Sequence, residues 1–328
     1  MIYIEYDNKS PYFYFALEEY LLLEKNLDDD TIFLLWRTDP TVMVGRYQNT
    51  IEEINVKYIS DHKVNVVRRN SGGGAIYTDK GAWQYTFIVK NYENNLIDFH
   101  VFTDPIINVL RTLGVDAYFN NRNDLLIDGR KFCGNAQHNS GNGKIHHGSI
   151  LFSTDFNAME ECLHVSEEKI ISKGIKSIRS RVTNVSEHLK NPMSPEEFRQ
   201  AVKESLLGSD STIYHLTEED LHWIEKRSNE KFSNWEWNYG SSPNYNIERE
   251  KRFEGGKVGF QLNVQGGIIE NCSIFGDFFE AKDIAVIEKA LSGIRYKKDD
   301  IQEILVAINA ESYFYKITND NLLECIIL

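Results

Sequence analysis

Three consecutive glycines, Gly72-Gly73-Gly74, are the feature that most constrains how this 328-residue chain can fold. They follow the apolar run Val64-Asn65-Val66-Val67 and the pair Arg68-Arg69, and with Ser71 and Ala75 they form what we call the glycine loop, residues 71–75. Glycine costs roughly 0.5–1 kcal/mol relative to alanine inside a helix or strand, so the triplet needs a reason in the backbone. Two interpretations remain open: a flexible surface turn beside solvated arginines, or main chain that comes very close to an anionic ligand.

The overall composition is typical of a globular protein, with 41% hydrophobic and 26% charged residues. A net charge of −13 argues against a nucleic-acid partner, because such proteins need a basic face. No apolar run approaches the roughly 20 residues that span a bilayer, so no membrane association is expected. The four cysteines are scattered, with no C-x-x-C pair, and this pattern favours a cytoplasmic location.

Periodicity and capping signals predict a mixture of helices and strands. Helices are expected to begin at Ser10-Pro11, Ser194-Pro195 and Thr217. The first helix carries an apolar stripe at helical spacing: Phe13, Ala16, Leu17, Tyr20 and Leu21. Strands are expected at residues 32–36, 42–44, 64–67, 84–89, 117–119, 124–127 and 149–152. A cluster of Gly, Ser, Pro and Asn at 239–245 indicates a linker, and the Gly266-Gly267 turn beyond it predicts a small α+β module.

The glycine loop matches neither of the common nucleotide-binding motifs. A Rossmann fingerprint opens a helix, whereas this loop leads into the strand-like Ala75-Ile76-Tyr77. A P-loop needs Ser or Thr after Gly-Lys, but Ile145 follows Gly143-Lys144. His146 and His147 are adjacent, so on a strand they point to opposite sides and form a poor metal pair.

A second cluster of small residues surrounds a lysine, Gly129-Arg130-Lys131-Phe132-Cys133-Gly134. The preceding Asp128-Gly129 predicts a hairpin turn, from which Lys131 enters either solvent or a pocket. Further along, residues 173–182 contain the cations Lys173, Lys176, Arg179 and Arg181 and no acid. Alone, such a run indicates only a solvated face.

Together these segments resemble the lipoate–protein ligase family, cofactor-attaching enzymes related to biotin–protein ligases. The matching segments are residues 16–20, 45–49, 68–77, 123–125, 129–137, 147–151, 177–184 and 276–279. They span nearly the whole chain. The resemblance implies an α/β (α+β) fold, with a mixed-sheet catalytic domain of the biotin/lipoyl ligase type at residues 1–245 and a small α+β accessory domain at 246–328.

The reaction implied by the resemblance has two steps. The carboxylate of lipoate or octanoate attacks the α-phosphate of ATP, which gives an acyl-AMP and pyrophosphate. A lysine of an acceptor protein then displaces AMP. The implied acceptors are lipoyl domains of 2-oxoacid dehydrogenase E2 subunits or the glycine-cleavage H protein. ATP and Mg²⁺ are the implied cofactors, and lipoate is the substrate.

The resemblance also implies roles for individual residues. Lys131 is the implied catalytic residue, because it would touch both the carboxylate and the α-phosphate. The implied ATP contacts are Arg69, Gly74, Ala75, Ile76, Tyr77, Asp124 and Lys131. The implied lipoate contacts are Arg69, Ser71, Gly72, Gly73, Lys131, Gly134 and His147. Arg179 and Arg181 would belong to a loop that closes over the adenylate, and Asp124 is the candidate Mg²⁺ ligand.

Cys133 keeps an alternative open, an ATP-independent lipoyl or octanoyl (amido)transferase in which this thiol carries a thioester. The other interpretation of Cys133 is that it packs as a small hydrophobic residue. A non-catalytic binder of carrier domains would have the same fold without the reaction. Intact Lys131, Arg69 and the glycine loop argue against that third interpretation.

Overall fold

The computed structural model describes residues 1–27, 31–90, 97–120, 122–163, 178–239 and 245–327. Its strands are β1 (Ile2–Ile4), β2 (Thr31–Trp36), β3 (Thr41–Val44), β4 (Asn65–Arg68), β5 (Ile76–Thr78), β6 (Ala82–Lys90), β7 (Ala117–Phe119), β8 (Asp124–Ile127), β9 (Arg130–Ser140), β10 (Gly143–Leu151), β11 (Thr212–Tyr214), β12 (Ile247–Phe253), β13 (Gly256–Gln265) and β14 (Ile268–Gly276).

The α-helices in these ranges are α1 (Pro11–Leu23), α2 (Thr50–Glu53), α3 (Val56–His62), α4 (His100–Thr112), α5 (Phe156–Cys162), α6 (Pro195–Leu206), α7 (Glu218–Arg227), α8 (Trp235–Asn238), α9 (Ala285–Leu291), α10 (Lys298–Ala307) and α11 (Asn319–Ile327). A π-helical turn, Ser228–Phe232, continues α7. Short 3-10 helices occur at Ile178–Ser180, Val185–His188 and Ala310–Tyr313. Within the described ranges, no helix combines the length and the apolar character needed to cross a bilayer.

The strands form one large mixed sheet and two small sheets. The large sheet has the order β11-β1-β2-β6-β10-β9-β8-β7, in which β1 is parallel to β11 and β2 and the other pairs are antiparallel. A second sheet has the order β4-β3-β5, and the glycine loop connects β4 to β5. The third, β12-β13-β14, is antiparallel. The predicted α/β class with a mixed sheet is confirmed.

Alternation along the strands explains why the large sheet is covered on both faces. On β2, Ile32, Leu34 and Trp36 pack with residues of α1, whereas Phe33 and Leu35 join the core formed with α4 and α6. Successive side chains of a strand point to opposite faces, so a run that is buried throughout must have a layer on each side.

Helix α1 begins at Pro11, as predicted, but it is buried on almost every side and not along one stripe. It contacts β6 and β10 of the large sheet on one side and α7 with its π-helical continuation on another. Even Glu18 and Glu19 are only 3% and 5% exposed. The predicted buried face of α1 was too narrow because Glu18 and Glu19 are buried with polar partners from other parts of the chain. A hydrophobicity pattern cannot predict such partners.

Local signals were more reliable at the turns and caps. Ser194 and Thr217 each form a complete capping box at the start of α6 and α7, as predicted. Asp128 and Gly129 both have positive φ angles, 49° and 75°, the geometry of a tight hairpin turn between β8 and β9. The strand predicted at 149–152 is longer, because β10 begins at Gly143.

Residues 245–327, which we call the C-terminal module, form a separate core between the β12-β13-β14 sheet and α9, α10 and α11. The module docks on the rest of the chain: the Phe278 ring stacks on Tyr47 with centroids 4.9 Å apart, and Gly276 N donates to Tyr47 O at 2.6 Å. The predicted boundary between 245 and 246 adjoins residues 240–244, which lie outside the described ranges, so it stays a prediction.

Candidate active site

A cleft, which we call the central cleft, lies where the large sheet meets the glycine loop and the C-terminal module. Its floor follows one row of directly paired residues, Trp36, Gln84, Ser149 and Gly134, on β2, β6, β10 and β9, and the row continues to Asp124 on β8. Directly paired residues share a face, and neighbouring strands lie about 4.8 Å apart, so the row extends about 19 Å.

The two ends of this row differ chemically. At one end, the Phe15 ring contacts Trp36 edge-on with centroids 5.7 Å apart, and Met43 lines the same cleft. At the other end, Lys131 Nζ lies 2.7 Å from Asp124 Oδ1. The central cleft is therefore apolar at one end and carries a lysine ammonium at the other.

A β-bulge aims Lys131 at the cleft. Cys133 pairs with Leu125 and Lys131 pairs with Leu126, so Phe132 is an extra residue of β9 opposite β8. In a regular strand with no bulge, Lys131 would share the face of Cys133, two positions away. The bulge moves Lys131 to the face of Asp124 instead, in keeping with the tendency of bulges to redirect side chains beside active sites.

Cys133 points away from the cleft. It pairs with Ile150 and Leu125, and all three belong to the core on the opposite face of the large sheet. The side chain is fully buried, and this burial raises the pKa of the thiol to about 12. A protonated thiol on the far face cannot attack an acid in the cleft, so the geometry opposes a thioester nucleophile at this position.

The glycine loop approaches protein main chain closely. Gly73 has a φ of +85° and its N–H donates to Phe278 O at 2.8 Å. A Cβ at Gly72 would lie 2.4 Å from the same Phe278 carbonyl oxygen. The interpretation as a close approach is thus supported, but the partner in this structure is the C-terminal module.

Arg69 lies in the wall of the cleft with its guanidinium turned into the loop. Nη2 donates to the carbonyls of Gly72 at 2.7 Å and Gly74 at 2.8 Å, Nη1 donates to Met43 O at 3.0 Å, and Nε donates to Ser71 Oγ at 3.1 Å. Burial lowers the pKa of this guanidinium to about 10. In this conformation these guanidinium donors bind protein acceptors and hold the glycine loop in shape. A contact between Arg69 and a phosphate stays a prediction.

The other expected contacts divide into two groups. Gly73, Gly74, Ala75, Ile76, Lys131, Gly134 and His147 all line the central cleft. Ser71 and Gly72 lie behind its wall, where Ser71 Oγ is 2.6 Å from His147 Nε2. Tyr77 is 3% exposed and packs in the core around β3 and β4. The structure therefore brings most, but not all, of these residues to one surface.

The basic segment also meets the lysine. Lys131 N donates to Arg181 O at 2.8 Å, and Thr183 N donates to Lys131 O at 2.9 Å, so residues 181–183 extend the sheet beside Lys131. The Arg179 side chain is exposed and donates to Asn157 Oδ1. Lys173 and Lys176 lie outside the described residues.

The carboxylates do not form a resident metal site in the described part of the chain. No group of three or more His, Cys, Asp or Glu residues there could hold a metal ion. Asp124, the candidate ligand, already pairs with Lys131. A magnesium ion would therefore have to bring most of its ligands with it, as Mg²⁺ does when it arrives on a triphosphate.

Two family models match this chain. A family model described as the lipoyl protein ligase A/B catalytic domain matches residues 10–207. The chain belongs to the lipoate–protein ligase family. A second model, the bacterial lipoate protein ligase C-terminus, matches residues 242–326. The resemblance drawn from the motifs is confirmed.

Members of this ligase family match from three quarters to all of this chain. Lipoate-protein ligase LplJ of Bacillus subtilis (strain 168) is 41% identical over 332 residues, 99% of this chain and 100% of the relative. P. falciparum LipL1, solved in complex with lipoate, has a TM-score of 0.80 at 26% identity and covers 100% of this chain and 98% of its own. A bi-partite lipoate protein ligase, described with its E2 lipoyl domain, from Thermoplasma acidophilum has a TM-score of 0.64 at 26% identity, covering 75% of this chain and 98% of its own.

Several residues that line the cleft were not expected to do so from the sequence: Phe15, Trp36, Met43, Gln84, Asn123, Asn135, Ala136, Gly148, Ser149 and Phe279. Phe15 lies beside the predicted stripe of α1, and Trp36 ends a predicted strand. The sequence therefore predicted the elements that carry them but not that both side chains point into the cleft. Phe279 belongs to a segment that resembles the ligase family, but only the docked C-terminal module brings it to Gly73.

Proposed function

We propose that this chain is a lipoate–protein ligase that activates lipoate or octanoate with ATP and transfers the acyl group to a protein lysine. The observation that carries the proposal is the central cleft, with Phe15 and Trp36 at one end and Lys131 at the other. An amphipathic acid matches this polarity, because its chain or ring can bury against aromatic rings while its carboxylate meets a cation.

In the first step, a carboxylate oxygen attacks the α-phosphorus of ATP and pyrophosphate leaves. Both reactants are anions, so a positive charge must offset their repulsion. The ammonium of Lys131 supplies it at the lysine end of the cleft. A lysine head carries three donors on a flexible stem, so it can move from the carboxylate to the phosphate as charge develops.

In the second step, the amine of an acceptor lysine attacks the acyl carbonyl, the bond to AMP breaks, and the amine proton passes to solvent. Lys131 then donates to the carbonyl oxygen as it becomes negative. Residues 181–183 hold the main chain of Lys131 during both steps. We assign Arg179 and Arg181 to a segment that shields the acyl-AMP, because a mixed anhydride exposed to water would hydrolyse.

The nucleotide contacts in this proposal are main-chain groups of Gly74, Ala75 and Ile76, which line the cleft. Mg²⁺ would arrive with ATP. The acceptor is a lipoyl domain or the glycine-cleavage H protein, in line with the T. acidophilum ligase described with its E2 lipoyl domain. The proposal also divides the chain into a catalytic domain, 1–245, and an accessory domain, 246–328.

The test is lipoate-dependent exchange of labelled pyrophosphate into ATP, measured for wild type, Lys131→Ala and Cys133→Ala. We expect exchange in wild type and Cys133→Ala and a large loss in Lys131→Ala. No exchange, together with ATP-independent acyl transfer between carrier proteins that needs Cys133, would replace the ligase with the thioester transferase. Incubation with a purified lipoyl domain and with H protein, read as a mass increase, identifies the acceptor.

A further inference from the structure

A buried carboxylate lies behind the wall of the central cleft, and the proposed reaction does not use it. Glu18 of α1 is 3% exposed. Its Oε1 accepts a hydrogen bond from Thr86 Oγ1 at 2.6 Å, and Thr86 Oγ1 accepts from Trp36 Nε1 at 3.0 Å. Both carboxylate oxygens lie 3.3 Å from Nδ1 of His147, whose ring lines the cleft.

With Glu18 ionised and the His147 ring neutral, the donors and acceptors fix the direction of every hydrogen bond in this chain of residues. An ionised carboxylate only accepts, so Nδ1 of His147 carries the proton that faces Glu18. In the neutral ring, Nε2 is then an acceptor, and it lies 2.6 Å from Ser71 Oγ. Ser71 Oγ already accepts from Nε of Arg69, which is always a donor, so the serine hydroxyl proton points to His147.

The far end of the chain is the glycine loop. The same Arg69 guanidinium donates to the carbonyls of Gly72 and Gly74. Gly73, Gly74 and His147 all line the cleft, and Phe15 packs edge-on against the His147 ring with centroids 6.1 Å apart. Glu18 therefore connects to two parts of the cleft wall, although it does not itself line the cleft.

We propose that Glu18 is a positioning residue: it holds His147 in the Nδ1–H tautomer and, through Ser71 and Arg69, holds the glycine loop in the shape that binds the acid. The kinetic test of this inference rests on the proposed function, whereas the test of the His147 tautomer does not. Outer partners that fix the tautomer of a metal-ligating histidine typically affect metal affinity or activity by 10–100-fold, and we expect an effect of the same order for a histidine that lines a binding cleft.

The first test uses no substrate. The full-length protein, labelled with ¹⁵N in its histidines, is studied by long-range ¹H–¹⁵N spectroscopy near pH 8, and His147 is assigned by the signals lost in His147→Gln. We expect Nδ1–H in wild type and a change of tautomer in Glu18→Gln, whose amide replaces one of the two carboxylate oxygens beside Nδ1 with a donor NH2 group and removes the negative charge. A wild-type ring with its proton on Nε2 overturns the proposal, whatever the variants do.

The second test measures KM for lipoate and kcat in pyrophosphate exchange for Glu18→Gln, Ser71→Ala and the double variant. Glu24→Gln, an exposed carboxylate directly after α1, is the matched control. We expect KM to rise on the order of tenfold in Glu18→Gln with a smaller change in kcat, because Lys131 is untouched. The double variant should be no worse than Ser71→Ala alone, since both residues act through one chain of hydrogen bonds.

An unchanged KM in Glu18→Gln, or additive effects in the double variant, overturns the positioning role. If wild type catalyses no exchange, the proposed function fails, and the tautomer of His147 still decides the role of Glu18. Thermal unfolding of each variant separates a loss of folding from a loss of position.

Discussion

Gly134→Ala tests how closely Lys131, the proposed catalytic residue, is packed against its own strand. A Cβ at Gly134 would lie 2.7 Å from Lys131 Nζ and 2.9 Å from its Cε. Nonbonded heavy atoms prefer about 3.5–4.0 Å, so the amine has to move by about 1 Å. The clash involves only the end of a flexible side chain, and Gly134 does not have a positive φ, so the backbone can accept alanine without strain.

The expected effects on activity and stability have opposite signs. A misplacement of about 1 Å at a catalytic group can cost about 10²-fold in rate, equivalent to about 2.7 kcal/mol of transition-state stabilisation. Glycine in a strand interior destabilises a protein by roughly 0.5–1 kcal/mol relative to alanine. The free energy of unfolding of the variant should therefore equal that of wild type or be slightly higher. Slower catalysis in a protein that is no less stable is the signature of a displaced lysine.

The assay is the initial rate of lipoate-dependent pyrophosphate exchange, with the free energy of unfolding measured in urea. Gly141→Ala, in the turn between β9 and β10, is the control, because a Cβ there meets nothing within 4 Å. We expect the control to match wild type in rate. A folded Gly134→Ala protein with wild-type turnover would refute the placement of Lys131 Nζ against Gly134.

Three further substitutions test the lysine, the glycine loop and a buried carboxylate of α7. Lys131→Ala should lose about 2.7–4 kcal/mol of transition-state stabilisation, read as kcat, with an unchanged melting temperature. Gly72→Ala should destabilise the fold by about 1–3 kcal/mol in urea, because its Cβ meets the Phe278 carbonyl, which is backbone. The pKa of Asp220 is lowered: burial raises it, but hydrogen bonds from Lys25 and two tyrosine hydroxyls outweigh burial. The Asp220 carboxylate therefore stabilises the fold above about pH 4, and this contribution is lost as pH falls through the folded pKa. Asp220→Asn should cost about 1.5–3 kcal/mol near pH 7 and less near pH 3.

Parts of the fold that depend on a few adjacent residues could be predicted from the sequence. The turn at Asp128-Gly129 and the caps at Ser194 and Thr217 are examples, because the side chain or the φ angle that defines each of them is local. The glycine loop and Lys131 could be recognised as parts of one site only through the resemblance to the ligase family. Their spacing along the chain contains no information about the distance between them.

Features that depend on distant partners were not predictable. The strand residues 143–148 include Lys144, His146 and His147, whose polarity hides a strand that is buried on both sides. Glu18 lies at a helical position that looks solvent-facing until Thr86 and His147 are in place. The two arginines before the glycine loop resemble ligands for an anion; in the structure the Arg69 guanidinium donates to two carbonyls of that loop, to Met43 O and to Ser71 Oγ, and its contact with a phosphate stays a prediction.

The extra residue at Phe132 has a consequence for how related sequences can be aligned and altered. Strand β9 carries a lysine and a thiol two positions apart, and only the bulge between them puts the lysine on the open face and the thiol on the sealed one. The same residues paired regularly, without the bulge, would turn the lysine toward the core and remove the positive charge from the cleft. A deletion of Phe132 itself would leave Lys131 opposite Leu126 on the open face, so the place of a gap in this segment decides which chemistry the strand offers to the cleft.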